Sequence, residues 1–309
     1  MELVRIEKGD YNAVINLTRG ANCISLRNEK HGVSILREPD YNNPDSPYLH
    51  GMPILFPQNR IEGGTFEFEG RKYSLAVNEP ATGCHLHGEL HRMQFKLSES
   101  SAERVLCSYV ASKESPYLTF GHDFEIRLEY VLSEHGLTQN TEIINLSEQN
   151  MPCMLGFHTT FNADFAGRDN VKVMAQISEE YERAIKTTYL PTGKKLEFDD
   201  ASKRLSCGDF PAFGIPISRH YSKAREGKME ILNLKRGLKV VYENDEKYGF
   251  RLIYNGKADG YICLEPQSCI INAPNMPQSN SDSGFCFIKP GESKIYTSKI
   301  YIAEINKEE

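Results

Sequence analysis

The feature that most constrains this chain is strict two-residue alternation, repeated along its length. In "FEIRLEYVL", Phe124, Ile126, Leu128, Tyr130 and Leu132 fall on one side and Glu125, Arg127 and Glu129 on the other. Successive side chains leave a strand on opposite faces, so this pattern builds a half-buried strand and cannot line one face of a helix. "GTFEFEGRKYSLAVN" carries the pattern through a reversal. Phe66 and Phe68 alternate, Glu69-Gly70-Arg71 turns, and Tyr73, Leu75 and Val77 alternate back, as in a hairpin. "LKVVYEN", "GFRLIYNG", "GYICLEP" and "SKIYTSKIYIAEI" continue it, separated by turn clusters such as "NGKADG" and "KPGES". Helical periodicity is scarce; "ISEEYERAI" admits a short helix or an edge strand with a loop. The expectation is an all-β chain folded as a large antiparallel sandwich.

A chain of 309 residues suffices for one large domain or two smaller ones. The Pro/Asp/Asn-rich "REPDYNNPDSPYLHGMP" reads as a long loop, because the strand pattern resumes after it without a shift in composition. Net charge is −6 and the basic residues are scattered, so no patch or stripe for nucleic acid is expected. No apolar run approaches the ~18 residues of a membrane span. The N-terminal "MELVRIEKGDYNAVINL" lacks a basic stretch followed by an apolar one, so no secretory signal is expected. The eight cysteines are dispersed without a C-x-x-C, and read as reduced structural thiols of a cytoplasmic protein.

Four stretches could carry chemistry. In "LFPQNRIEGGTF", Arg60 follows Asn59; its fork of donors suits a hydroxyl pair or a carboxylate, and a structural ion pair with a nearby acid is the plainer alternative. In "GCHLHGELHRMQF", His85 and His87 would share a strand face, with His91 four residues on. That raises a metal site, but a cupin-like set would want its glutamate several residues beyond the H-x-H pair, and Glu89 is only two beyond His87. The functional alternative is His87 alone, presented before a glycine turn. "MPCMLGFHTTFN" reads as a strand with Cys153, Leu155, Phe157, Thr159 and Phe161 on an apolar face. His158 lies on the other face, where Gly156 would clear room for a ligand; a satisfied core histidine is the alternative. In "DGYICLEPQSCIINAPN", Pro266 would hold Glu265 extended at a strand end, and partial burial would raise its pKa toward that of a useful base.

Taken in order, "PQNRI" with "GGTFEFEGRKYSL", "HLHG", "GFHTTFN", "LPTGK" at Leu190–Lys194, and "CLEP" followed by "NAPN" resemble the aldose 1-epimerase (galactose mutarotase-like) family. The resemblance runs over most of the chain and implies a single aldose 1-epimerase-like domain over residues 1–309. It implies a large β-supersandwich with its site on the concave face. The implied activity is interconversion of the α and β anomers of a small-molecule sugar. By that resemblance Glu265 is the general base on the C1 hydroxyl and His158 the general acid on the ring oxygen. His87 is the second site histidine, and Asn59 and Arg60 bind sugar hydroxyls. No metal and no organic cofactor are expected, because only protons move.

The chain departs from the family pattern in places. "HGELHRMQF" stands where members have a further glycine and a tryptophan, and "HTTFN" stands for "HPYFN". Around "GIPISRHYSKAREG", Arg219, His220 and Tyr221 offer no match for the family's sugar-binding aspartate. The expectation is a divergent branch. Two alternatives stand beside the mutarotase reading. One is a hexose-6-phosphate 1-epimerase, for which Arg71, Lys72, Arg92 or Arg219 could supply phosphate contacts. The other is a non-catalytic carbohydrate-binding module of the same fold, which would have no need of a matched acid and base.

Overall fold

The computed structural model describes residues 2–40, 47–164, 168, 170–224, 227–276 and 281–305. Strands make up 52% of it and helix 6%. Two large antiparallel sheets dominate. The nine-stranded sheet runs Lys96–Ser100, Arg104–Ala111, Phe124–Ser133, Gly136–Asn145, Ser293–Glu304, Leu238–Asn244, Lys228–Asn233, Val171–Ala175 and Phe210–Pro211. The alternation read in "FEIRLEYVL" is realised there: Phe124, Ile126, Leu128, Tyr130 and Leu132 are buried, while Glu125, Arg127 and Glu129 are not. Each apolar side chain buried this way contributes about 1.5–3 kcal/mol. The hairpin also forms, with Thr65–Phe68 paired to Arg71–Ser74 and Phe66 stacked on Tyr73.

The eight-stranded sheet positions the site. Its order is Pro191–Leu196, Ile177–Arg183, Ser218–Lys223, Phe250–Tyr254, Tyr261–Gln267, Gly156–Phe157 and Ile54–Leu55, with Thr160–Asn162 also pairing Tyr261–Gln267. The ambiguous "ISEEYERAI" is therefore a strand. It gains ladder partners on both edges, which outweighs a weak local preference. The helix Asp200–Cys207 starts where the Asp199 carboxylate accepts from Ser202 N and ends at Gly208, whose φ of +79° favours glycine.

Two sequence expectations change. "MPCMLGFHTTFN" is not one strand but three pieces, Met151–Cys153, Gly156–Phe157 and Thr160–Asn162. Both of its faces are enclosed: Met154, His158 and Thr160 are buried, as are Leu155 and Phe157. Gly156 makes room for protein rather than for a ligand, since a Cβ there would lie 3.0 Å from Gln58 Oε1 and 3.3 Å from the Pro266 carbonyl. Pro266 does not end its strand; Arg251 pairs with it and Phe250 pairs with Gln267 beyond it. Leu264 N donates to the Thr159 carbonyl, so the nitrogen two residues on faces the break between Gly156–Phe157 and Thr160–Asn162, where no ladder donor is required. Residues 41–46 of the long loop lie outside the described residues.

Candidate active site

Glu265 sits mid-strand. Across the eight-stranded sheet it faces Leu252, which faces His220, which faces Tyr181. Residues two apart on a strand share a face, so Cys263, Gln267, Tyr254, Ser218 and Arg183 join that surface. The broken strand brings His158 over it. His158 Nε2 lies 3.2 Å from Glu265 Oε1. Both residues are buried, His158 at 7% and Glu265 at 1% exposure. The His158 backbone is anchored by its N–H donating to the Pro53 carbonyl.

Electrostatics set the proton positions. Burial raises the Glu265 carboxyl to about 8, against the pull of Arg183 and then Arg60. Burial holds the His158 imidazole down to about 4. Near neutral pH the couple therefore carries one proton, resting on the carboxyl, and is uncharged. Gln267 Nε2 donates to Glu265 Oε2 at 3.4 Å. His158 Nδ1, His87 Nδ1, Glu265 Oε1 and Gln267 Oε1 have no hydrogen-bond partner among the described residues. Buried polar atoms rarely stay unsatisfied, so these four are candidate contacts for a bound polar group.

His87 arrives by a different route. Its strand, Cys84–Leu86, pairs with Arg60–Glu62, and His87 N donates to the Asn59 carbonyl. His87 itself has φ +66°. The strand therefore ends before it, and His85 and His87 do not share a face as expected. His85 Nδ1 contacts the Ala76 carbonyl at 2.7 Å. The His87 ring stands edge-on to His158 with centroids 5.5 Å apart. Gly88 is needed there: at φ +61°, a Cβ would sit 2.0 Å from the Phe56 carbonyl oxygen. Burial, then the neighbouring His158 and Arg60, hold the His87 imidazole well below its ordinary range. His91 is held down to about 3 by burial and Arg92, and it accepts a hydrogen bond from Arg92. Tyr48 packs on both rings, 4.6 Å from each, and its centroid is 6.1 Å from that of His158. Among the described residues, no cluster of three or more histidine, cysteine or acidic side chains has the geometry of a metal site.

Arg60 takes the plainer of its two alternatives. Its Nε and Nη2 donate to Glu79 at 2.6 and 2.8 Å, and its guanidinium lies 4.9 Å over the Tyr189 ring. The Asn59 carbonyl amide oxygen, Oδ1, accepts from Arg60 N. The arginines first considered for phosphate do not gather. Arg219 forms ion pairs with Glu180 and Asp199, Arg71 donates to Gln149 and the Gly121 carbonyl, and Arg92 pairs with Glu89.

The sequence reading missed Arg183. It is 7% exposed, its Nη2 donates to both the Ser218 carbonyl and hydroxyl, and it stands on the Glu265 face. Among the described residues it forms no ion pair, and burial with the repulsion of Arg60 lowers its pKa to about 10. The signal lay in "EEYERAI", legible only once that stretch is known to be a strand. Tyr48, Gln58 and Gln267 were also missed. Only Gln267 was legible, two residues past Glu265 and hence on its face.

A buried histidine and glutamate 3.2 Å apart on the face of a large antiparallel sheet form a pair able to exchange protons with a bound group. The family model for aldose 1-epimerase matches residues 2–301. A galactose mutarotase-like protein from Clostridium acetobutylicum superposes with a TM-score of 0.91 at 30% identity, over 98% of this chain and 95% of that one. The GalM/aldose epimerase homologue from C. elegans superposes with a TM-score of 0.77 at 17% identity, over 99% of each chain. The uncharacterized protein YihR of Escherichia coli (strain K12) is 24% identical over 286 residues, 89% of this chain and 86% of YihR. The chain belongs to the aldose 1-epimerase family.

Proposed function

We propose that this protein is an aldose 1-epimerase, interconverting the α and β anomers of a sugar by acid–base ring opening. The observation that carries the reading is the 3.2 Å approach of His158 Nε2 to Glu265 Oε1 in a buried, singly protonated couple. In the free protein the proton rests on Glu265. Sugar hydroxyls donating to the carboxylate, together with Arg183 and Arg60, favour moving it to His158. Glu265 then takes the C1 hydroxyl proton while His158 gives its proton to the ring oxygen. The C1–O5 bond opens to the aldehyde, rotation about C1–C2 presents the other face, and reclosure runs the two transfers backwards. The proton count is unchanged over the cycle. His87, neutral and with a free Nδ1, serves as a hydroxyl partner beside His158. Asn59 and Arg60 are the proposed partners of further sugar hydroxyls, although Arg60 has its Nε and Nη2 already held by Glu79. We propose further that residues 1–309 act as one domain, because one apolar cluster runs from Ile6 to Ile300.

Arg183 favours a second reading, in which the sugar bears an acid group such as a 6-phosphate. Buried charges are ordinarily paired, and among the described residues this guanidinium hydrogen-bonds only Ser218, with longer-range attraction from Glu265, Tyr189 and Glu180. The test of both is anomer equilibration followed by NMR on pure anomers of neutral and acidic aldoses. A rate above buffer on any of them supports the epimerase. A higher kcat/KM on the acidic sugars selects the second reading. No acceleration across the panel contradicts both.

A further inference from the structure

On the far side of the broken strand from His158, Met151–Cys153 pairs antiparallel with Cys286–Ile288, and Cys153 stands directly opposite Cys286. Residues opposed this way have Cα atoms ~4.5–5.5 Å apart, within the span a disulfide bridges. The two thiols share one surrounding. Cys153 Sγ is 3.3 Å and Cys286 Sγ 3.9 Å from the hydroxyl of buried Tyr296. Lys294 Nζ donates to Cys286 Sγ at 3.1 Å and forms no ion pair among the described residues. Cys286 is part-exposed, whereas Cys153 is fully buried. The arrangement is asymmetric: one reachable sulfur with a cation against it, and one enclosed sulfur across the ladder.

We propose that Cys286 and Cys153 form a peroxide-reactive site, with Cys286 the attacking thiol and Cys153 the resolving one. The Cys286 thiolate attacks one oxygen of hydrogen peroxide and the O–O bond breaks. Sulfenic acid forms, and the departing oxygen leaves as water with the proton the thiol gave up. The Cys153 sulfur, losing its proton, then attacks the Cys286 sulfur. The S–S bond forms, the S–O bond breaks and a second water leaves. In sum two thiols are oxidised by two electrons and one hydrogen peroxide is reduced to two waters. The Cys153 hydrogen bond and the Lys294 ammonium both hold the Cys286 thiol below its ordinary range, while the Cys153 thiol is raised. This site is independent of the sugar reading, and it departs from the expectation that all eight cysteines are reduced structural thiols.

Cys207 supplies the internal control, since it is the exposed cysteine among those described. The full chain is treated with increasing hydrogen peroxide, digested and weighed by mass spectrometry. The expected product is a linked Cys153–Cys286 peptide pair, lighter by two hydrogens, appearing before any Cys207 product and reversed by dithiothreitol. Cys153→Ser is expected to leave a sulfenic acid at Cys286 that dimedone traps. Lys294→Met is expected to slow Cys286 oxidation by roughly tenfold, because the thiolate fraction falls. Oxidation of Cys207 ahead of Cys286 in the unaltered protein, or oxidised Cys286 with no link to Cys153, overturns the proposal; neither outcome depends on a variant folding.

Discussion

At the scale of single residues, the couple of His158 and Glu265 makes a prediction about pH. The couple works only with one proton. Below about 4 His158 is protonated as well and no base remains; above about 8 Glu265 loses the proton and no acid remains. The kcat/KM profile for anomer interconversion is therefore expected to be bell-shaped with limbs near these two values, which belong to the couple rather than to either residue. A profile flat from pH 5 to pH 9 would contradict it. Glu265 also makes a prediction about stability. Its carboxyl is raised from 4.5 to about 8 in the folded protein, so the folded state keeps a proton that the unfolded chain releases between those values. Stability is present below about 4.5 and is lost as pH rises through about 8. An amide has no charge to desolvate. Glu265→Gln is thus expected to raise the thermal midpoint relative to the parent, with a gain near zero at pH 4 that grows toward pH 9; a pH-independent difference would contradict the assigned burial cost.

At the scale of elements, the strand breaks around His158 depend on how Gly156 packs. Gln58 lies over that glycine, accepting from Ser268 N and donating to the Cys269 carbonyl and thiol. Gly156→Ala drives a methyl into Gln58 and the Pro266 carbonyl, and overpacking of this kind costs ~1–3 kcal/mol. A lowered denaturant midpoint with unchanged slope is expected; an unchanged midpoint would show that Gln58 yields freely. The strand Ile177–Arg183 carries the other element-scale prediction. Arg183 is the foremost charge lowering the Glu265 pKa. Arg183→Met is therefore expected to move the alkaline limb of the pH profile upward, and an unmoved limb would detach Arg183 from the couple. The strands were legible in the sequence because alternation is a local property and the sandwich buries one face of each. Glu265 and His158 were legible because each interrupts an apolar run. Arg183 and Tyr48 were not, since what brings them to the site is register across several strands and the course of a long loop. The role of Gly156 was misread for the same reason: the space beside a glycine is filled by whatever the tertiary fold brings there, in this case Gln58.

At the scale of the whole molecule, two strands far apart in sequence, Tyr261–Gln267 and the broken run near residue 156, meet in one sheet and bring together Glu265 and His158, the pair proposed to carry the chemistry. The most direct measurement of the claim that this couple does the chemistry compares the parent with Glu265→Gln. Anomer exchange of a sugar the parent turns over is followed by NMR, and the affinity for that sugar by titration calorimetry. Gln can still hydrogen-bond a hydroxyl but cannot take its proton. A fall in kcat of ~10²–10⁴-fold is expected. The dissociation constant is expected to stay within about tenfold of the parent's, a change of ~1.4 kcal/mol or less. Turnover by Glu265→Gln within a few-fold of the parent would contradict the claim, leaving Glu265 a structural residue and the proton another way out.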